Sequence, residues 1–336
     1  MSAWSFGMRP SIFVFGLSLA MMTFATTFAQ ETPLRAGIIG LDTSHAPAFA
    51  KLLNGPEAVG DLAGVKVVAA FPAGSPDVES SRTRIEGFTD QFRKMEIEIV
   101  DSIDALLSKV DVVLIESVDG RPHLAQAAPV LKAKKRLFID KPISASLADT
   151  KEIFRLAKEN DTPVFSSSSL RFAAGIRGMT SDDRVGKVLG CEVRSPCSLE
   201  EHHPDLFWYG IHGVETLYTI MGPGCVQVTR ASTPGTDLVV GVWNDGRIAT
   251  FRGIRNGSAG YGAMVFGSKG IVPSGGFEGY KPLVVEIVKF FKTGKVPVSP
   301  EETLELVAFM EAADESKRQG GAPVTIQSVL EKAGKK

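Results

Sequence analysis

Side chains able to move protons or hold a metal are few in this chain, and they gather at the ends of its apolar runs. The five histidines are His45, His123, His202, His203 and His212. Each stands in a loop or at a helix start that an open α/β sheet would place near the C-terminal ends of its strands, where ligands bind. Imidazole titrates nearest to neutrality, and it can act as acid, base or metal ligand. Lys141 follows an apolar strand and a carboxylate, Asp140, and precedes Pro142, which fixes the turn. A lysine held there can exchange a proton with a substrate hydroxyl. His212 has Glu215 at i+3 on the same helix face. That carboxylate could orient the ring or join it on a metal.

Asp42 and His45 sit three apart at the turn into the first helix. Helix capping would explain an acid there but not a histidine, so the pair is expected to bind substrate or a metal. Glu116 is an unusual end for an apolar strand and is expected to face the cleft. In His202-His203-Pro204-Asp205 the adjacent rings point apart, which lets one, His203, reach the site. His123 opens a helix. Imidazoles and carboxylates from separate strand ends could hold Zn²⁺ or a similar ion with one position open to water, with Asp42 and His45 as candidate ligands. No H-E-x-x-H spacing makes such a site specific.

The elements that must position these groups begin with residues 34–40 (LRAGIIG), a short apolar run followed by an apolar pattern at helical spacing. Strand, tight turn and helix form the first unit of a doubly wound domain. A dinucleotide binder would read G-x-G-x-x-G at that turn. Here Gly40 keeps the first position, Asp42 takes the second and His45 the third. A carboxylate repels a pyrophosphate and fills its space. The second strand, Val65–Phe71, ends without the acid that usually meets the ribose, since Asp77 comes only after a second proline. NAD(P) is therefore expected to bind weakly or not at all, leaving Gly40 as a vestige of a cofactor site. Apolar strands and amphipathic helices then alternate to about residue 168, which predicts a Rossmann-type doubly wound parallel sheet over 33–168. From about residue 186 the strand-like runs are joined by Gly, Asn and Asp, and Asn244-Asp245-Gly246 signals a hairpin. Residues 169–336 are thus read as an α+β domain with a mostly antiparallel sheet, onto which helices near 282–292 and 300–318 fold back.

With 37 basic and 38 acidic residues among 336, no net field draws the chain to nucleic acid or to an anionic membrane. The apolar segment 12–25, followed by Thr27-Phe28-Ala29, reads as a signal peptide over residues 1–29, cleaved to leave an exported protein. Cys191 and Cys197 share one expected strand, and six extended residues span roughly 20 Å. A disulfide needs its Cα atoms within about 7 Å. The cysteines are therefore expected as buried free thiols.

The order of elements and several short motifs resemble the glucose–fructose oxidoreductase, inositol dehydrogenase and rhizopine-catabolism (Gfo/Idh/MocA) family. Asp140-Lys141-Pro142 resembles its Glu-Lys-Pro, and Leu170-Arg171-Phe172 its Asn-Arg-Phe. Val185-Gly186-Lys187-Val188 is similar to the lead into its large sheet, and residues 210–215 (GIHGVE) to its Gly-x-His-x-x-Asp helix. The resemblance implies that Lys141 and His212 are catalytic, with Asp140 beside them, and that Arg171 lies near the substrate. It also implies a homo-oligomer built on the face of the second sheet. The family's aspartate four residues before the histidine is here Trp208, and its Thr-Pro-Asn after the fourth strand is Val118-Asp119-Gly120. The chain is thus expected to be an exported enzyme acting on a carbohydrate or polyol derivative. Lys141, His212 and Asp140 would carry acid–base hydrolysis or elimination, with or without a metal and without free NAD(P) turnover. Asp42, His45, Glu116, His123, Arg171, His203 and Glu215 would meet the substrate. The alternatives are an NAD(P)-dependent sugar oxidoreductase with a tightly held cofactor and a non-catalytic sugar-binding protein.

Overall fold

The computed structural model describes residues 1–8 and 32–334. The expected signal segment falls largely outside them. From residue 33 onward, β1 (Leu34–Ile39), α1 (His45–Asn54), β2 (Val65–Phe71), α2 (Glu79–Arg82), α3 (Ile85–Lys94), β3 (Glu98–Ile99), α4 (Ile103–Leu107), β4 (Val112–Ile115), α5 (His123–Lys132), β5 (Arg136–Asp140), α6 (Leu147–Glu159) and β6 (Val164–Ser167) alternate. The strands form one sheet in the order β3-β2-β1-β4-β5-β6, parallel throughout. Both faces of such a sheet are covered, so its central strands are apolar on both sides. All four residues of β4 are buried accordingly. Ser102 and Ser146 start α4 and α6 by accepting a backbone N–H from Ala105 and Asp149.

Gly40 ends β1 with φ +92°, and a Cβ there would lie 2.4 Å from the Ser117 backbone nitrogen. The close approach of the β1 and β4 ends therefore requires glycine whatever the turn binds.

After α7 (Ala174–Arg177) comes the second sheet, with β7 (Val188–Pro196), α8 (Asp205–Trp208), α9 (Ile211–Met221), β8 (Cys225–Thr233), β9 (Thr236–Trp243), β10 (Ile248–Ile254), β11 (Gly262–Gly267) and β12 (Ile271–Pro273). With α10 (Lys281–Thr293), α11 (Pro300–Arg318), β13 (Val324–Thr325) and α12 (Ile326–Ala333) the chain closes. The sheet order is β12-β11-β7-β10-β9-β8-β13, and only β7 with β10 is a parallel pair. The expected 208–221 helix breaks at Tyr209 and Gly210 into α8 and α9. Cys191, Cys197 and Cys225 are buried free thiols.

The two closing helices part company. α11 packs on the second sheet through Phe309 and its neighbours, as expected. α10 instead returns to the first sheet, where Leu283, Val284, Ile287, Phe290 and Phe291 join one core with Phe49, Phe138 and Phe165. Its apolar stripe shares the sheet face that α1 covers through Phe49, a pairing that periodicity alone cannot assign.

Candidate functional site

Because β1, β4 and β5 are neighbours, whatever follows their C-terminal ends converges. The turn after β1 delivers His45, the end of β4 delivers Glu116, and β5 ends in Asp140 with Lys141 next. His45 Nδ1 lies 2.8 Å from Asp140 Oδ2. The imidazole is braced by Phe49, stacked at 5.8 Å, and by Tyr280 at 4.7 Å between ring centres. Glu116 is fully buried, and neither carboxylate oxygen has a hydrogen-bond partner; Asp140 Oδ1 has none either. One ligand atom from each of His45, Glu116 and Asp140 lies within 4.8 Å of the others, so this buried trio could hold a metal ion.

The electrostatics of the trio are unequal. Burial, then the nearby charge of Asp140, pushes Glu116 well above the usual carboxylate range, with Lys141 opposing. Burial also acts to raise Asp140, but the charges of His45 and Lys141 and the His45 hydrogen bond overcome it and hold Asp140 at about 2.

His212 enters from α9. Its Nδ1 meets Ser168 Oγ at 2.8 Å, and its ring lies between Tyr209 and Tyr261. Burial, with the charges of Lys141 and His45, depresses its pKa well below the usual imidazole value, so the ring is neutral at pH 7. Lys141 is buried within electrostatic reach of Asp140, Glu116 and His212. The structure thus brings Lys141, His212, Asp140, His45 and Glu116 around one centre.

Other expected contacts resolve differently. Glu215 does not orient the imidazole. Its Oε2 accepts from Arg171 Nε at 2.6 Å and its Oε1 from the Ser168 backbone at 3.3 Å. Arg171 also reaches Glu302 at 2.5 Å, so Glu215 and Arg171 form a buried ion-pair chain under the site rather than a substrate surface. His123 is fully buried, with Nδ1 2.9 Å from the Pro142 carbonyl and Nε2 2.9 Å from that of Ser117. It ties the β4 and β5 ends together and presents no nitrogen to a ligand. His203 Nε2 accepts from the Gly120 N–H at 3.2 Å, and Nδ1 faces the Pro204 carbonyl. Burial lowers its pKa to about 4, and it too is structural.

Asp42 is also withdrawn from the expected metal pair, and Glu116 and Asp140 stand with His45 in its place. Its Oδ1 accepts from the Val118 N–H at 2.9 Å and its Oδ2 from Ser81 Oγ at 2.7 Å. Fully buried, it bridges the ends of β1 and β4 and the helix following β2. Burial raises its pKa to about 6 against these two bonds. Beside it, Ser75 Oγ donates to Asp119, and Arg121 joins Asp119 to Asp77. Asp42, Ser81, Ser75, Asp119, Arg121 and Asp77 thus occupy and cross-link the crevice beyond the β1 turn.

Four site residues escaped the sequence reading: Ser168, Tyr209, Tyr261 and Tyr280. The chain has only four tyrosines, and three lie against His45 or His212. Their rarity was the available signal.

Residues 34–168 match the Gfo/Idh/MocA family, described as an oxidoreductase family with an NAD-binding Rossmann fold. The chain is 26% identical over 180 residues to 2,7-anhydro-N-acetylneuraminate hydratase of Mediterraneibacter gnavus. That match covers 51% of this chain and 44% of the relative, so the chain spans less than half the length of the curated protein it matches. A probable dehydrogenase from Thermotoga maritima superposes with a TM-score of 0.72 at 21% identity, covering 88% of this chain and 100% of the other. The scyllo-inositol dehydrogenase from Lactobacillus casei, solved with NAD(H) and scyllo-inositol, gives 0.71 at 14% identity over 88% of this chain and 100% of the other.

Proposed function

We propose that this chain, which belongs to the Gfo/Idh/MocA oxidoreductase family through its Rossmann domain over residues 34–168, is an exported enzyme that works on a carbohydrate or polyol derivative by acid–base chemistry without free NAD(P) turnover. The observation that carries this reading is the pairing of an assembled proton-transfer centre with a cross-linked cofactor crevice. Lys141 and the neutral His212 share the centre, while Asp42 binds Val118 and Ser81 where a pyrophosphate would lie. In an elimination, His212 takes the proton from the substrate carbon and Lys141 gives one to the departing oxygen; hydration runs the same transfers backwards. In a hydrolysis the same base deprotonates water. Ser168 at Nδ1 leaves Nε2 of His212 for this work. Asp140 holds His45 and sets the local charge beside Lys141. The hydratase name of a distant relative supports a non-redox reaction.

A second reading, an NAD(P)-dependent sugar oxidoreductase, draws on a structural neighbour that carries NAD(H) with scyllo-inositol. One experiment separates the two. Purified protein is denatured and the supernatant assayed for nicotinamide dinucleotide, and native protein is titrated with NAD(H) and NADP(H). No released cofactor and no micromolar binding, together with turnover of an unsaturated or anhydro sugar, is the expected result. Retained dinucleotide, or turnover that depends on adding it, would sink the acid–base reading. A substrate bound but left unchanged under all these conditions would point to a non-catalytic sugar-binding protein.

A further inference from the structure

We propose that His45, Glu116 and Asp140 form a site for one divalent transition-metal ion, of the Zn²⁺ class, with positions open to water or vicinal substrate hydroxyls. The first observation is geometric. The three side chains come from three adjacent strand ends, and one donor atom of each lies within 4.8 Å of the others, so a small contraction would bring them onto one ion. The second is an unsatisfied demand. Glu116 is fully buried with both oxygens unpartnered, and Asp140 Oδ1 is buried and unpartnered beside it. Buried carboxylates without donors are rare, because leaving water costs more than the fold returns unless a charge or hydrogen bond compensates. A divalent cation answers both groups at once.

The donor set decides the class of ion. One imidazole nitrogen and two carboxylate oxygens suit Zn²⁺ and its first-row neighbours better than the all-oxygen shell preferred by Ca²⁺. Three protein ligands leave a coordination position for water, as catalytic rather than structural zinc sites do. Phe49 and Tyr280 hold the imidazole in place around that position. Lys141 is a nearby cation that competes with the metal for both carboxylates, and its ammonium would turn toward the substrate once the ion is bound. The site stands independently of the acid–base reading above: a protein that binds metal but turns over without Lys141 fails that reading and not this one.

The test is calorimetric titration of the metal-stripped, full-length protein with ZnCl₂, followed by elemental analysis after desalting. One equivalent of zinc per chain is expected in the wild type, with affinity falling at least tenfold in Glu116→Gln and in Asp140→Asn. Thermal melting gives a second readout that does not rely on activity. Zinc should raise the melting temperature of the wild type and not that of Glu116→Gln. His202→Gln, which removes the exposed histidine beside Glu200, should bind like the wild type. No zinc in the wild type would overturn the proposal and leave Glu116 as a neutral buried acid. Zinc that survives Glu116→Gln at unchanged affinity, or is lost in His202→Gln, would overturn it equally.

Discussion

His45 and Asp140, 95 residues apart in sequence, meet at 2.8 Å across the crevice that separates the turn after β1 from the end of β5. In a dinucleotide-binding turn the position of His45 belongs to a glycine, chosen so that helix and strand can pack closely. Here an aromatic ring stands there and reaches over the strand ends to a carboxylate.

If Lys141 and His212 are the proton-transfer pair, Lys141→Met and His212→Asn should each reduce turnover about 10²–10⁴-fold. Circular dichroism and melting behaviour should stay close to the wild type. Steady-state assays on an unsaturated or anhydro sugar check this, and full activity in both variants would end the assignment.

Asp42 serves as an acceptor for two buried donors, the Val118 N–H and Ser81 Oγ. Asp42→Ala should destabilise the fold by about 2 kcal/mol, since unsatisfied buried donors carry the full cost of desolvation. Urea denaturation measures the loss. An unchanged midpoint would show that the bridge contributes nothing.

Arg171 and Glu215 are expected to matter for folding first. Glu215→Gln leaves Arg171 with a lost partner in a buried chain and should cost about 3–5 kcal/mol. Thermal and chemical melts report this directly. A variant with native stability and a raised KM would return these residues to the substrate.

His203 makes stability depend on pH. Burial depresses it most, with His123 and Arg121 adding to that, while the Pro204 carbonyl and Asp119 pull the other way. Its folded pKa, about 4, lies below the ordinary value of 6.5. Below pH 6.5 the unfolded chain takes up a proton that the folded ring refuses. The contribution is therefore complete above pH 6.5 and is lost as pH falls towards 4, by about 3 kcal/mol in all. Denaturation midpoints across that window should show the decline, and His203→Gln should flatten it.

The outer face of the second sheet pairs Ile248 with Val242, and Thr250 with Val240, across β10 and β9. Val239, Ala249 and Phe251 are buried on the opposite side. We expect a homo-oligomer through the outer face, broken by Ile248→Lys. Light scattering at micromolar concentration decides this, and a wild-type monomer would refute it.

The parallel sheet was legible because its strands are apolar on both faces and punctuated at regular intervals. β1 and β2 fell on their expected residues, and Asn244-Asp245-Gly246 does turn the chain between β9 and β10, with Gly246 at φ +85°. The site was legible only as a gathering of rare side chains. His45, Glu116, Lys141 and His212 could be sent to the strand ends because topology sends them there. Which imidazole nitrogen is already engaged is a different kind of fact. His123 and His203 meet carbonyls and an N–H in loops whose paths depend on tertiary packing, so they looked as available as His45. Asp42 misled for the same reason, since its partners Val118 and Ser81 lie far along the chain.

The return of α10 to the first sheet sets the order in which the molecule can be completed. Phe290 and Phe291 close a core begun by Ala36 and Ile38, so the layer made first during synthesis waits for residues made near the end. A ribosome that has finished residue 168 has produced a sheet face that α1 and α3 cover only in part. The core of the first sheet is therefore complete only when residues 281–293 are in place. A protein cut at residue 168 would be an unfinished layer with an apolar face, and it should aggregate rather than fold.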